Sequence, residues 1–140
     1  MTPTVTALDH LVLTVGDIDE TAAFYTDVLG MTAQVWHPAD GSTRTALCFG
    51  QQKINLHPKG REYEPKAANP APGTADLCFL SDTLLADWQA HLAQHHVAIE
   101  EGPIRRTGAT GPILSIYLRD PDGNLIEISN AATLAATKPD

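Results

Sequence analysis

Hydrophobic and polar residues alternate in short stretches along the first half of the chain, and turn-forming residues separate these stretches. Period-two alternation is typical of half-buried strands, so each stretch predicts a strand. Between the first two, Asp17 is followed three residues later by Glu20, which predicts a capped helix start for a helix over 17–29. The predicted strands of this half are 8–15, 31–37, 44–49 and 52–57.

The same order of patterns returns in the second half. Asp82 precedes a stretch whose apolar residues recur at helical spacing, so we expect Asp82 to cap a second helix. Residues 102–111 predict a loop or an irregular strand, because glycines and charged residues interrupt the alternation. The predicted strands of this half are 75–80, 97–100, 113–119 and 125–129.

These patterns predict an α+β fold made of two tandem βαβββ modules that form a curved mixed sheet. The modules span 8–57 and 74–130, and a linker rich in proline and glycine spans 58–73. A chain of 140 residues is long enough for one compact domain. We therefore expect a single domain over 1–140 with an internal repeat.

The repeat can be tested by register. Aligning LDHLVL with TADLCF places His10 over Asp76 at an offset of 66 residues. Aligning KINLH with NLIEI places Asn55 over Glu127 at an offset of 72 residues. If a pseudo-two-fold axis relates the modules, their first and last strands bring these four side chains toward one concave surface.

Glu127 is the most informative of these residues. It lies in the returning strand of a predicted hairpin, YLRDPDGNLIEIS, whose turn residues are DPDGN. Its neighbours Ile126 and Ile128 face the opposite side of the strand, so Glu127 points away from the apolar core. Solvent exposure explains such a carboxylate by itself, and a functional role becomes the better explanation only together with the repeat.

Composition limits the class of partner. The formal charge of −8 argues against nucleic acid or an anionic membrane, since both attract basic surfaces, and favours a small-molecule ligand. The first residues lack the pattern of a signal peptide, so we expect a cytoplasmic protein. Cys48 and Cys78 lie in apolar stretches, where we expect them to be buried and not to form a disulfide.

The segments DHLVLTVGDIDETAAFYTDVLGM and YLRDPDGNLIEIS together resemble the vicinal oxygen chelate superfamily, which includes glyoxalase I, extradiol dioxygenases, methylmalonyl-CoA epimerase and bleomycin-resistance proteins. The resemblance extends over residues 8–130. Within the superfamily, the segments KINLHPKGREYEPKAANPAPGTADLCF and IEEGPIRRTGATGPILSIYLRDPDGNLIEISN look most similar to the glyoxalase domain-containing protein 5 group.

The resemblance implies one divalent metal ion, such as zinc, nickel, iron or manganese. His10 and Glu127 match two of the family's ligand positions. Asn55 stands where glyoxalase I carries a glutamate, and Asp76 stands where most members carry a histidine. His57 lies one pleat beyond Asn55 on the same face, so His57 and Asp76 compete to complete the site; we expect His57, because an imidazole is the better donor for zinc, nickel or iron.

The resemblance also implies roles in chemistry and substrate binding. Glu127 takes the place of the catalytic base, and Tyr117 is a candidate proton shuttle. Ser115 and Tyr117 match positions that contact substrate in fosfomycin-resistance members, and Asn55 is a further candidate contact. Arg105 is one of few cations in an acidic chain and is our candidate for an anionic part of the substrate, with Arg106 and Arg44 as other possibilities.

Two classes of function therefore stand side by side. The first is a metal-dependent, glyoxalase-like lyase or isomerase, or a dioxygenase-like enzyme, that acts on a small oxygen-chelating substrate. The second is a metal-free binding protein similar to the bleomycin-resistance proteins. In both classes we expect a homodimer, because exposed sheet edges tend to pair and superfamily members commonly dimerise.

Overall fold

The computed structural model describes residues 1–136, which form two compact units, 1–72 and Gly73 onward. Both units have the βαβββ order that the sequence pattern predicts, and the α+β fold class is confirmed. The strands form two four-stranded sheets, one in each unit. Among the described residues no helix is both long enough and apolar enough to cross a membrane.

The first unit contains four strands and one helix, whose bounds agree with the predicted ones to within a few residues. The strand order in its sheet is β1-β4-β3-β2, in which β1 runs parallel to β4 and the other pairs are antiparallel. The elements are β1 (His10–Val15), α1 (Ile18–Asp27), β2 (Thr32–Trp36), β3 (Arg44–Phe49) and β4 (Gln52–Pro58).

The core of the first unit lies on one face of this sheet. Leu13, Leu47 and Ile54 are buried and lie on one face of the sheet, and α1 packs on the sheet through the fully buried Tyr25. The predicted capping box is confirmed, since the Asp17 carboxylate accepts a hydrogen bond from the Glu20 backbone N–H at 2.8 Å. The opposite face of the sheet is not covered by this core and is therefore available for a functional site.

The second unit repeats the arrangement, with strand order β5-β8-β7-β6 and a parallel β5–β8 pair. Its core contains the fully buried Leu92 of the helix and Ile116, Leu118 and Ile126 of the central strands. The elements are β5 (Asp76–Leu80), α2 (Leu85–Gln94), β6 (Glu101–Thr107), β7 (Pro112–Arg119), β8 (Leu125–Ala131) and a short α3 (Ala132–Ala136).

The predicted strand over 97–100 is wrong. His96 adopts a left-handed conformation (φ 57°), and the Val97 N–H bonds back to the Leu92 carbonyl at 2.9 Å. These residues therefore close the end of α2 in a Schellman-type turn. The strand starts later, at Glu101, in the stretch expected to be a loop or irregular strand.

The predicted cap of α2 is also wrong. The helix starts at Leu85, after Leu84, and Asp82 makes no capping bond. Instead Asn130 of β8 accepts a hydrogen bond from the Leu85 N–H at 2.9 Å and donates to the carbonyls of Ser81 and Thr83 at 2.8 Å. A side chain 45 residues away in the sequence thus satisfies the start of the helix.

Candidate functional site

In the first unit, the sheet face opposite the core carries the candidate ligands, and we name it the Asn55 face. The register pairs His10 with Lys53 and Val12 with Asn55. Because registered partners point the same way, His10, Asn55 and His57 share this face, as the sequence predicts. His10 and Asn55 are diagonal neighbours on adjacent strands.

His10 is oriented by an acidic neighbour. Its Nδ1 lies 2.8 Å from the Asp9 carboxylate, and the imidazole is largely exposed. A carboxylate that accepts the Nδ1 proton leaves the lone pair on Nε2, which is the common arrangement for a histidine that binds a metal. The pair thus prepares His10 as a nitrogen donor.

Asn55 has an unsatisfied acceptor. Its Oδ1 is buried and has no hydrogen-bond partner among the described residues. Buried polar atoms are nearly always satisfied, and an orphan acceptor therefore points to a donor or cation that the chain itself does not supply. Among the candidate residues of this face, Asn55 is the one whose buried oxygen without a partner indicates a ligand.

His57 lies on the same face but farther along it. Lys53, the register partner of His10, is four residues before His57, so the two histidines are separated by about 13 Å along the strands. His57 instead contacts Tyr63, whose backbone N–H approaches its Nδ1 at 3.4 Å. Partial burial is the main cause that lowers the pKa of His57, and the positive charge of Arg44 lowers it further.

In the second unit, the corresponding face carries Glu127, and we name it the Glu127 face. The register places Cys78 of β5 on one side of Glu127 and Tyr117 of β7 on the other. Asp76 pairs with Leu125, one pleat before Glu127. Asp76 and Glu127 are therefore diagonal neighbours in the same way as His10 and Asn55.

Backbone bonding repeats this match between the units. The Lys53 N–H donates to the Asp9 carbonyl at 3.3 Å, and the Leu125 N–H donates to the Ala75 carbonyl at 3.1 Å. Both donors and both acceptors are related by the offsets of 72 and 66 residues that the sequence alignment uses. The register that the repeat predicts is thus present in each unit.

A chain of two serine hydroxyl groups ends in a hydrogen bond to Glu127. Ser115 Oγ lies 2.6 Å from Ser129 Oγ, and Ser129 donates to Glu127 Oε2 at 3.4 Å. Ser115 is fully buried, so it orients Ser129 and is not placed to touch a ligand directly, unlike the contact that the sequence predicts. Ser129 thereby holds one carboxylate oxygen of Glu127, and the side chains of Cys78 and Tyr117 also bond to this carboxylate.

Cys78 also joins this network. Its thiol lies 3.3 Å from Ser129 Oγ, and burial, together with the Glu127 charge, raises its pKa. The prediction that Cys78 is buried is wrong, because it shares the Glu127 face and is exposed. The sequence did contain a signal for Cys78 and Ser129. Ser129 lies two residues after Glu127, and Cys78 pairs with Glu127 in the parallel β5–β8 register, so alternation places both side chains on the Glu127 face.

Tyr117 is fixed from its other side by Arg106. The Nε of Arg106 donates to the Tyr117 hydroxyl oxygen at 2.9 Å. Burial and the nearby Glu127 carboxylate raise the pKa of Tyr117, and the bond from Arg106 opposes this increase. Tyr117 is therefore a neutral phenol next to Glu127, whose oxygen accepts the bond from Arg106 and whose hydroxyl also bonds to the Glu127 carboxylate.

Asp76 owes its position to the turn before β8. The buried Asn124 accepts a hydrogen bond from the Ala75 N–H at 2.9 Å and donates to the Asp120 carboxylate at 2.8 Å. The predicted turn chemistry of DPDGN thus anchors β5 as well as closing the hairpin. Asp76 itself is exposed at the start of its strand.

Arg105 does not lie on the Glu127 face. Arg105 pairs with Leu114, whereas Arg106 pairs with Ile113, which has the same parity as Tyr117. A bulge between Glu101 and Ile104 shifts the register of β6 by one residue. As a result Arg106, and not Arg105, lies on the Glu127 face. Arg106 therefore takes the place that the sequence assigned to Arg105.

Each unit thus brings two candidate metal donors together on one face. The Asn55 face offers an imidazole and an amide oxygen with no partner, and the Glu127 face offers two carboxylates; each of these donor types suits a divalent cation. Among residues 1–136 no group of three His, Cys, Asp or Glu side chains is arranged to hold a metal ion.

Two relatives are similar to most of this chain. The glyoxalase domain-containing protein RDO1 of Mycosarcoma maydis is 56% identical over 126 residues, which cover 90% of this chain and 69% of RDO1. The virulence protein STM3117 of Salmonella typhimurium is 56% identical over 122 residues, covering 87% and 82% of the two chains. The crystal structure of STM3117 matches with a TM-score of 0.85 over 92% of this chain and 99% of STM3117, at 52% identity.

A more distant relative is named for its reaction. The ethylmalonyl-CoA/methylmalonyl-CoA epimerase of Cereibacter sphaeroides is 31% identical over 131 residues, covering 86% of this chain and 95% of the epimerase. The sequence profile of the Glyoxalase/Bleomycin resistance protein/Dioxygenase superfamily matches residues 7–128. This chain therefore belongs to the glyoxalase/bleomycin resistance protein/dioxygenase superfamily.

Proposed function

We propose that the protein is an enzyme in which Glu127 moves a proton at a carbon next to a carbonyl of a small molecule. The observation that carries the proposal is the position of Glu127 on its face, with one oxygen held by Ser129 and a neutral phenol, Tyr117, beside it. A positioned carboxylate next to a positioned acid is the arrangement that general acid–base catalysis requires. The superfamily and the similarity to an epimerase support this class of reaction.

The chain's own groups account for the proton balance. The Glu127 carboxylate accepts the proton from the C–H bond, and the electron pair moves onto the neighbouring carbonyl oxygen. As Glu127 takes up the proton, Tyr117, the neutral acid beside it, donates its hydroxyl hydrogen bond to that oxygen. Return of the proton from Glu127 to the adjacent carbon, together with transfer of the substrate's hydroxyl proton to the former carbonyl oxygen, gives an isomer, and protonation of the original carbon on its opposite face gives an epimer; neither needs an oxidant.

We further propose that His10 and Glu127 bind one divalent metal, with Asn55 and Asp76 as the remaining donors. This step rests on the family resemblance, on the Asp9–His10 pair and on the equal register of the two donor pairs. Such an ion supplies Lewis acidity that stabilises negative charge on a substrate oxygen. The register of Asp76 within its own unit supports Asp76 as a donor, and the separation of His57 from His10 disfavours a two-histidine, dioxygenase-type site.

Metal content tests the ligand assignment. We expect protein purified without chelator to contain about one equivalent of metal, and His10→Ala, Glu127→Ala and Asp76→Ala to lose most of it. His57→Ala is the matched control and should retain metal. If His57→Ala loses the ion while Asp76→Ala keeps it, the register argument fails.

Proton exchange tests the reaction. Metal-loaded protein is incubated in D2O with methylmalonyl-CoA and with a panel of small 2-oxo and 2-hydroxy acids, and deuterium incorporation is followed by NMR. We expect exchange in at least one compound, its loss in Glu127→Gln and a reduction of about tenfold to a hundredfold in Tyr117→Phe. Binding without exchange in wild type and Glu127→Gln alike would overturn the proposal.

That outcome would favour the alternative, a metal-free binding protein. The observation in its favour is that the described part of the chain contains no group of three His, Cys, Asp or Glu side chains that could hold a metal ion. A narrower relationship to the glyoxalase domain-containing protein 5 group, a cytoplasmic location and a small-molecule partner all stay predictions from the sequence.

A further inference from the structure

The bulge in β6 decides which arginine faces Glu127. Counting in twos from Glu101, which pairs with Tyr117, would place Arg105 on the Glu127 face. After the bulge, Ile104 pairs with Ser115, so that Arg106 points to this face instead. Bulges commonly re-aim a side chain beside a functional site.

The guanidinium of Arg106 is only partly used by the protein. Its Nε binds the Tyr117 hydroxyl at 2.9 Å, Nη1 binds the Arg105 carbonyl at 3.2 Å, and Nη2 lies 3.5 Å from a Glu101 carboxylate oxygen. An arginine has five N–H groups, so these contacts leave two for a ligand. The pair with Glu101 is exposed on both sides and is therefore weak.

Arg119 lies on the same face, but its guanidinium is already bonded to other groups of the protein. Its Nε and Nη2 bind both carboxylate oxygens of Glu100 at 3.2 and 3.0 Å, and its Nη1 binds the Gly123 carbonyl at 3.1 Å. Glu127 and Asp76 are acidic and would repel an anion. Arg106 is therefore the cation of this face that is placed to accept one.

We propose that Arg106 binds a carboxylate of the substrate, so that the substrate of the proposed proton transfer is a small carboxylic acid. This inference rests on the proposed function, because Tyr117 joins Arg106 to Glu127 and sets the order of groups along the ligand. In this arrangement the carboxylate of the substrate binds Arg106, the carbonyl oxygen next to it binds the Tyr117 hydroxyl, and the reacting carbon lies beside Glu127. Arginine suits this role because its planar fork matches a carboxylate.

The experiment compares two adjacent arginines. Arg106→Gln and Arg105→Gln remove the same charge from neighbouring positions on opposite faces of β6, so Arg105→Gln is the matched control. Titrations of 15N-labelled protein with pyruvate, oxaloacetate and 2-oxoglutarate, and with the dimethyl ester of 2-oxoglutarate, give dissociation constants from amide shifts. The same spectra show whether each variant is folded.

We expect at least one acid to bind wild type and Arg105→Gln equally, and to bind Arg106→Gln about tenfold more weakly. The neutral diester should not distinguish the variants. Equal weakening in both variants, or no binding of any acid to the wild type, would overturn the proposal. The titration needs no turnover, so a failure of Glu127→Gln to affect exchange would remove the proposed reaction and leave this result standing.

Discussion

The start of α2 depends on one side chain of a distant strand, and Asn130→Ala should reveal this. Asn130 is 1% exposed and makes three hydrogen bonds, to the Leu85 N–H and to the carbonyls of Ser81 and Thr83. The substitution leaves all three groups without their partner. Leu84, at the capping position, offers no side-chain bond in compensation.

The magnitude follows from the burial of these groups. The Leu85 N–H bond is buried, and leaving such a donor unsatisfied costs about 1–3 kcal/mol. The two carbonyl bonds are partly buried, and each contributes about 0.5–1.5 kcal/mol because water can replace part of it. We therefore expect a loss of about 3 kcal/mol in the free energy of unfolding.

Urea denaturation followed by circular dichroism and by the fluorescence of Trp88 measures this loss. With a slope of about 2 kcal/mol per molar urea, the midpoint should fall by about 1.5 M. The control is Asp82→Ala, which removes the cap that the sequence predicts and should change stability by less than about 0.5 kcal/mol. A loss below about 1 kcal/mol for Asn130→Ala, or an equal loss for Asp82→Ala, would refute the reasoning.

Three further predictions concern other parts of the chain. The folded-state pKa of His57 is lowered, so its contribution to stability is present above the unfolded pKa of about 6.5 and is lost as pH falls through the folded value; His57→Gln should reduce this acid sensitivity in urea melts at pH 5 and pH 8. Gly102→Ala should cost about 3 kcal/mol, because φ is 106° and the new Cβ would collide with the Ser115 carbonyl oxygen, whereas Gly41→Ala, with φ of 83° and open space, should cost about 1–2 kcal/mol in the same assay. We also expect a homodimer, and sedimentation at micromolar concentration that gives the 15.0 kDa mass of one chain would contradict it.

Local pattern determined much of the fold. Alternation along β3 and β4 and the capping box at Asp17 depend on residues a few positions apart, so their elements form where the pattern predicts. The register of the repeat is also encoded locally, since equal patterns pair in the same way in each unit. For these reasons the sequence alone was enough to place Tyr117 beside Glu127 and His10 with Asn55 on one face, whereas their functional roles stay predictions.

Only the tertiary structure decided the remaining features, because each depends on residues that are distant in sequence. Asn130 replaces Asp82 as the cap of α2 once β8 lies beside the helix start. The bulge in β6 turns Arg106 rather than Arg105 toward Glu127, and alternation cannot reveal a one-residue shift in a strand. The distance between His10 and His57 follows from the pairing register of two strands, which no residue of either strand specifies alone.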